Sequence, residues 1–556
     1  MRQKPVIYQI FTRLFGNRQT QNKPHGTLAE NGCGKMADID DNTLRRIRQL
    51  GVTHVWYTGI IRHATTTDYT AYGLPRQTPM VVKGKAGSPY AIADYYDVDP
   101  DLAVDVNRRM EEFEALVART HAAGMKVVID FVPNHVAREY HSVCKPDMES
   151  DLGEKDNKEM HFSTANNFYY CWGLPLDTSH LPQGEGAPYE ECPARATGND
   201  HFDNSPGASD WYETVKLNYG IDYCDAGGRS EHFSPIPDTW SKMTNILLFW
   251  AGKKVDAFRC DMAEMVPAAF WHWATDKVKY VAHQDVDFIG EVYDPSQYRN
   301  YIAAGFDYLY DKVGMYDCVR DVMCGNRWAA DITRQWQVCD DILPHMLYFL
   351  ENHDEQRIAS DFFAADAKKG VPGMMVSAWL HSSPVMVYAG QELGEPGMEA
   401  EGFSGCDGRT TIFDYWCVDT IRRGYYDLRR LKKDERALRD AYAKILNLAN
   451  EEDALREGAF YDLMYVNQQL AKRQFAFMRK YDKQVVLVVV NFSNEMVDCE
   501  VRLPRHLFEY WQMSETTLAA TDLLTGRVGD MTLRAEHPIR LQLPALGGVA
   551  YKMVLE

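Results

Sequence analysis

The run Met125-Lys126-Val127-Val128-Ile129-Asp130-Phe131-Val132 is almost continuously apolar until it meets Pro133-Asn134-His135. A strand with one wet face alternates apolar and polar residues, whereas a strand buried on both faces does not. This run therefore reads as a buried parallel strand. A helical pattern precedes it, with Met110, Phe113, Leu116 and Val117 on one face and Gly124 after its end.

The same unit recurs in both directions from that strand. Upstream, residues 6–11 read as a first short strand. Asp41-Asn42-Thr43 then caps a helix carrying Leu44, Ile47 and Leu50, Gly51 stops it, and residues 52–58 follow as a second strand. Downstream, strand patterns lie at 255–260, 286–290, 306–309, 346–350 and 384–388, with helical patterns in most gaps. Eight strands in βα alternation predict an α/β fold, a (β/α)8 TIM barrel. Working residues in such barrels sit at the C-terminal ends of strands. Here polar clusters follow Val132, Phe258, Gly290 and Leu350.

Two segments break the alternation. Residues 136–238 are rich in aromatics, Gly and Pro, including Tyr169-Tyr170-Cys171-Trp172 and Trp211-Tyr212. Structureless loops of that size are uncommon in compact proteins, so we expect a subdomain inserted after strand 3, above the barrel's C-terminal face. Beyond about residue 445 the pattern turns to strands. Residues 474–479, the turn Tyr481-Asp482-Lys483 and residues 485–490 read as a hairpin, while Ile539, Leu541 and Leu543, and then Val549, Tyr551 and Met553, alternate. The expected division is a catalytic barrel at 1–135 and 239–445, an inserted subdomain at 136–238 and a C-terminal all-β sandwich domain at 446–556.

The 556 residues are 45% hydrophobic and 25% charged, which is ordinary globular composition and argues against disorder. A net charge of −19 disfavours nucleic acid and anionic membrane surfaces and fits a neutral substrate. The 12 cysteines show no CxxC or metal-type spacing and read as free thiols, pointing to a reducing compartment. The N-terminal stretch from Met1 to Ile10 lacks the apolar core of a signal peptide. The expectation is a cytoplasmic protein, or a periplasmic or extracellular one if a leader has been removed. No run is long enough for a membrane span, and the oligomeric state is open.

The segment Val255-Asp256-Ala257-Phe258-Arg259-Cys260-Asp261-Met262 carries a basic and an acidic residue two apart. Strand alternation points Arg259 and Asp261 the same way and Cys260 the other. A cation there favours the ionised carboxylate, as a nucleophile requires. A structural ion pair fits the segment equally well. Three more acid-bearing segments fall at strand ends: Asp130-Phe131-Val132-Pro133-Asn134-His135, Ile289-Gly290-Glu291-Val292-Tyr293, and Glu351-Asn352-His353-Asp354-Glu355-Gln356-Arg357. In this order and at these positions, the four segments resemble the α-amylase family of glycoside hydrolases (family 13). The resemblance covers nearly the whole chain, insertion and C-terminal β domain included.

The resemblance implies a retaining α-glucoside hydrolase acting on malto-oligosaccharides or other α-glucans, with Asp261 as nucleophile, Glu291 as general acid/base and Asp354 as transition-state stabiliser. An α-glucan transglycosylase would share the covalent intermediate. A catalytically silent sugar-binding protein on the same fold would typically have lost one of the acids, and all three are present. Retention needs two carboxyl groups roughly 5–5.5 Å apart in opposite protonation states. Arg259 would keep Asp261 charged, and Glu291, with no basic neighbour in sequence, is free to hold a proton. The resemblance also places His135 and His353 on the sugar and Asp130 behind Arg259. It puts Tyr90, from Gly87-Ser88-Pro89-Tyr90, beneath the pyranose, whose apolar face suits an aromatic ring. Lys216-Leu217-Asn218 resembles a short family motif near the cleft.

The chain departs from the family pattern in two places. Endo-acting amylases typically carry a Lys-His pair three and four residues beyond the nucleophile, where this chain has Glu264 and Met265. That leaves room for oligosaccharide hydrolysis or glucosyl transfer. No catalytic cofactor is expected, but a structural calcium is an open question. Asn134 matches a family calcium ligand, and residues 200–210 are oxygen-rich; an asparagine there can equally brace the insertion through hydrogen bonds. A second family calcium loop corresponds to Asn31-Gly32-Cys33-Gly34-Lys35-Met36. Lys35 stands where a ligand aspartate would sit, so that site is expected to be empty.

Overall fold

The structure, a computed structural model, describes residues 3–182 and 186–555. Met1 and Arg2 of the N-terminal stretch, residues 183–185 of the insertion and Glu556 lie outside the described residues. Eight parallel strands close into a barrel: β1 (Val6–Phe11), β2 (His54–Thr58), β3 (Lys126–Phe131), β4 (Ala257–Cys260), β5 (Asp287–Gly290), β6 (Tyr308–Tyr310), β7 (Met346–Phe349) and β8 (Val385–Tyr388). Each pairs with its neighbours in chain order, and β8 returns to β1. The expected strands are all present, most of them a residue or two shorter than their apolar runs.

The period of two sorts each strand's side chains between two cores. Ile7, Trp56, Val128, Ala257, Ile289, Tyr310, Leu347 and Met386 fill the barrel interior as one cluster. Val127, Ile129, Phe131, Phe258, Cys260 and Phe288 point outward into the larger core beneath the helices. That division places Arg259, two beyond Ala257, at the top of the interior. The parallel register sets Arg259 opposite Asp130 on β3 and opposite Ile289 on β5. One local expectation is corrected. The helix Asp41–Gln49 is capped by Asp40, whose carboxylate accepts from Thr43 N at 2.8 Å. An aspartate one residue earlier reaches the third amide of the first turn, as capping requires.

The segment after β3 is ordered with little regular structure. Its strand His135–Ala137 pairs antiparallel with Thr214–Lys216, which anchors both ends of the insertion beside β3. An aromatic cluster stands in for a sheet core: Tyr169, Phe202 and Tyr223 pack edge and face at 4.4–5.5 Å between ring centroids. The helix Asp238–Gly252 leads back to β4. Further along, the helix Lys433–Glu451 runs across residue 445, so helical pattern gives way to strands only between Glu451 and Ala459. The C-terminal strands form a six-stranded antiparallel sheet and a separate antiparallel pair, Val497–Arg502 with Pro538–Leu543. The expected hairpin is Gln474–Tyr481 with Gln484–Asn491. No helix among the described residues is long and apolar enough to cross a membrane, and all 12 cysteines are free.

Gly87 fixes the approach of the Tyr90 segment to the barrel. Its φ is +77°, and a Cβ there would lie 1.7 Å from Ala64 O. Its carbonyl accepts from Arg13 Nη2 at 2.7 Å. Gly87→Ala must shift backbone as well as adopt a left-handed conformation. We expect a loss of more than about 1 kcal/mol, read as a lower Tm.

Candidate active site

Arg259 is wholly buried and holds three carboxyl groups. Its Nη1 lies 2.7 Å from Asp261 Oδ1 and 3.5 Å from Asp130 Oδ1, and its Nη2 lies 2.7 Å from Glu291 Oε2. The rings of Trp56, Tyr90 and Tyr310 surround the guanidinium at 5.3–5.6 Å. Asp130 is braced in turn by Trp56 Nε1, which donates to its Oδ2 at 3.0 Å. Arg259 therefore serves Glu291 as closely as it serves Asp261. Glu291 has no basic neighbour in sequence but gains one in space, because β4 and β5 lie side by side in the barrel.

Glu291 has two further donors. Met262 N donates to its Oε2 at 2.8 Å, and the Tyr293 hydroxyl to its Oε1 at 2.6 Å. Met262 adopts a left-handed backbone, φ 43°, which turns the chain just after Asp261 and aims that amide. Burial pushes Asp261 well above the ordinary carboxylate range. The Arg259 charge opposes the shift, while Glu291 and Asp354 add to it. Arg259 thus lowers Asp261 as expected, but burial and the neighbouring carboxyl groups outweigh it. Asp130 is raised by burial to about 6.

Asp354 stands on the turn after β7. Asn352 Oδ1 accepts from the amides of Asp354 and Glu355 at 2.9 and 3.0 Å, and Arg409 Nε donates to Asp354 O at 2.6 Å. The turn is also held by the buried Glu351–Arg357 pair at 2.9 Å. Enclosure in the cleft and the Glu291 charge raise Asp354 to about 7, a shift tempered by solvent reaching 40% of its side chain.

The two histidines are buried and neutral. Burial holds His353 well below its ordinary value, helped by Arg259, and holds His135 at about 3, helped by Lys216 and Lys83. Gln9 Nε2 donates to His353 Nδ1 at 2.8 Å, so the ring carries its proton on Nε2. That nitrogen faces the Tyr90 hydroxyl and lies 3.1 Å from Asp354 Oδ2. The Tyr90 and His353 rings stack at 5.2 Å. His135 packs against Trp211 of the insertion at 5.2 Å.

A cavity of about 360 Å³ brings together Asp261, Glu291, Asp354, Tyr90 and His135. Arg259 and His353 sit behind it and act through Asp261, Glu291, Tyr90 and Asp354. Asn134 is placed apart, buried at the base of the insertion, with its Oδ1 accepting from Lys216 Nζ at 2.7 Å. Several contributors escaped the sequence reading. Trp211, Ile412 and Phe413 line the cavity, as does the Lys83–Glu213 pair at 3.0 Å. Of the residues missed, only Tyr293 carried a local signal, standing two beyond Glu291 and so on the same side of an extended chain. Glu264, where the family pattern has lysine, accepts from the Tyr293 and Asp294 amides at 2.8 and 3.0 Å and so ties down the loop after β5.

The chain is similar to known proteins in sequence and in fold. The alpha-amylase MalA of Haloarcula japonica is 23% identical over 396 residues, 70% of this chain and 44% of that protein. A human amino acid transporter heavy chain is 23% identical over 324 residues, 57% of this chain and 36% of that one. The matched stretches thus span less than half the length of these relatives. Among solved structures, the alpha-amylase of Geobacillus thermoleovorans complexed with acarbose superposes with a TM-score of 0.65 at 19% identity, covering 99% of this chain and 98% of its own. The model of the alpha amylase catalytic domain matches residues 9–463. With that match across most of its length, the chain belongs to the alpha-amylase family.

Proposed function

We propose that the protein is a retaining α-glucoside hydrolase acting on malto-oligosaccharides or other α-glucans. The observation that carries this reading is the convergence of Asp261, Glu291 and Asp354 on one cavity with Tyr90 and His135. Tyr90 offers its ring to the apolar face of a glucosyl unit, His135 lines the same cavity, and His353 orients Tyr90 and Asp354 from behind it. Asp261 attacks the anomeric carbon as the glycosidic C–O bond breaks, and Glu291 gives its proton to the leaving oxygen. Water then attacks the glycosyl-enzyme, Glu291 takes a proton back, and Asp261 is released. Asp354 stabilises the positive charge that develops on the sugar in both steps.

Glu291 accepts from Met262 N and the Tyr293 hydroxyl and is ion-paired with Arg259, whereas Asp261 accepts from Arg259 Nη1. A leaving oxygen seated at Glu291 Oε1 takes the place of the Tyr293 hydroxyl that donates there. Met262, Ile412 and Phe413 add apolar wall to the cavity.

Asp261→Asn should lower kcat on a nitrophenyl maltoside by about four orders of magnitude or more while calorimetry still detects sugar binding. An unchanged rate rules Asp261 out as nucleophile. Glucose and maltose as the products of maltotriose are the expected outcome, whereas longer oligomers would mark a transglycosylase.

The pH dependence follows from the cluster. Asp261 must be ionised to attack and its pKa is raised, so the acid limb of kcat/KM should lie above about 4, the usual carboxylate value. Asp130 is one of the negative neighbours raising Asp261. Asp130→Asn removes that charge and should move the limb to lower pH by up to about one unit. A limb that stays or moves upward contradicts this assignment.

A further inference from the structure

Asn134 stands just beyond β3, at the family position whose side-chain oxygen would serve calcium. That oxygen instead accepts from Lys216 Nζ at 2.7 Å, and the same ammonium lies 2.5 Å from Asp200 Oδ1. Lys216 is only 2% exposed. Calcium takes six to eight oxygens at roughly 2.3–2.6 Å. Here one asparagine oxygen and one carboxylate oxygen are already engaged with a cation. A divalent ion set between them would face that positive charge at close range, where little solvent screens it. The donor set therefore does not fit calcium.

The loop after β1 repeats the pattern. Lys35 Nζ donates to Asp101 O at 2.5 Å. Asn31 has no oxygen to spare: its Oδ1 accepts from Lys23 N at 2.9 Å, and its amide donates to Lys23 O and Tyr415 O at 2.8 and 2.7 Å.

We propose that Lys216 is a built-in cation that takes the place of a structural calcium, tying the insertion to the barrel and setting the hydrogen bonding of His135. Three pieces of chain meet at its ammonium or its backbone. Asn134 belongs to the end of the barrel strand. Asp200 belongs to a turn of the insertion in which Asp200 N donates to Thr197 O at 3.2 Å, and it adopts a left-handed φ of 63°. Lys216 itself lies directly opposite His135 in the antiparallel pair that closes the insertion.

The ammonium also decides which way the Asn134 amide faces. With Oδ1 turned to Lys216, Nδ2 donates to Gly198 O at 2.7 Å and faces His135 Nδ1 at 3.1 Å. His135 then accepts at Nδ1 and carries its proton on Nε2. Lys216 is thus a positioning residue, acting on the cleft through Asn134 and His135.

Calcium-linked melting tests this directly, because an ion that binds only the folded state raises Tm with its concentration. The wild type should show the same Tm in EDTA and in millimolar calcium, and no heat of calcium binding. A rise of several degrees with calcium, or stoichiometric binding, overturns the proposal. Lys216→Asp replaces the cation with a third oxygen donor beside Asn134 and Asp200. It should melt lower than the wild type in EDTA and regain stability when calcium is added, whereas Lys216→Met should melt lower and gain nothing from calcium. If Lys216→Asp melts as the wild type does and ignores calcium, Lys216 is not the cation of this site. If either variant fails to fold, the wild-type comparison still decides.

Discussion

A single guanidinium, fully enclosed at the top of the barrel, has carboxylates on two of its nitrogens and aromatic rings around it. Arg259 touches Asp130 from β3, Asp261 from the end of its own strand and Glu291 from the end of β5. Breaking a buried pair by removing one partner costs about 3–5 kcal/mol, because the remaining charge is left uncompensated. Arg259 has three such partners, and a fourth carboxyl, Asp354, lies near enough to be felt electrostatically. The barrel interior below is apolar, so the cluster is a polar cap on a hydrophobic plug. Within it burial and the neighbouring acids raise Asp130, Asp261 and Asp354 against the pull of the one guanidinium.

The insertion solves a different problem with similar means. It has little sheet to hold it, and an aromatic cluster supplies its bulk. Among its holds on the barrel are one short antiparallel pair and the buried contacts of Lys216. From that fixed point it sends Trp211, Glu213 and Thr214 over the cleft. The wall of the substrate pocket thus depends on an ammonium outside the pocket. Glu264 and Tyr293 make a comparable link on the other side, joining the loops after β4 and β5.

The barrel was legible in the chain because buried parallel strands leave a direct trace: continuous apolar runs separated by helical periods. Val127, Ile129 and Phe131 face one core while Val128 faces the other, which is why the run does not alternate. The carboxylates were legible because they fall where those runs end. Gln9, Trp56 and Trp211 were not, since a glutamine or tryptophan near a strand or in a loop carries no mark of what it will face. Gln9 meets His353 across 344 residues of chain.

The sequence by itself determined the alternation of elements, the strand ends that carry acids and the pairing of Arg259 with Asp261, since all of these rest on short-range periodicity. Only the tertiary structure decided how charge is shared among them. Barrel closure sets Glu291 against Arg259 and crowds Asp354 and Asp130 around Asp261, so burial and mutual repulsion outweigh the adjacent cation. The same holds at Asn134, whose side chain could serve a metal or a hydrogen bond. The return of the insertion brings Lys216 to its oxygen, and that long-range contact selects the hydrogen bond.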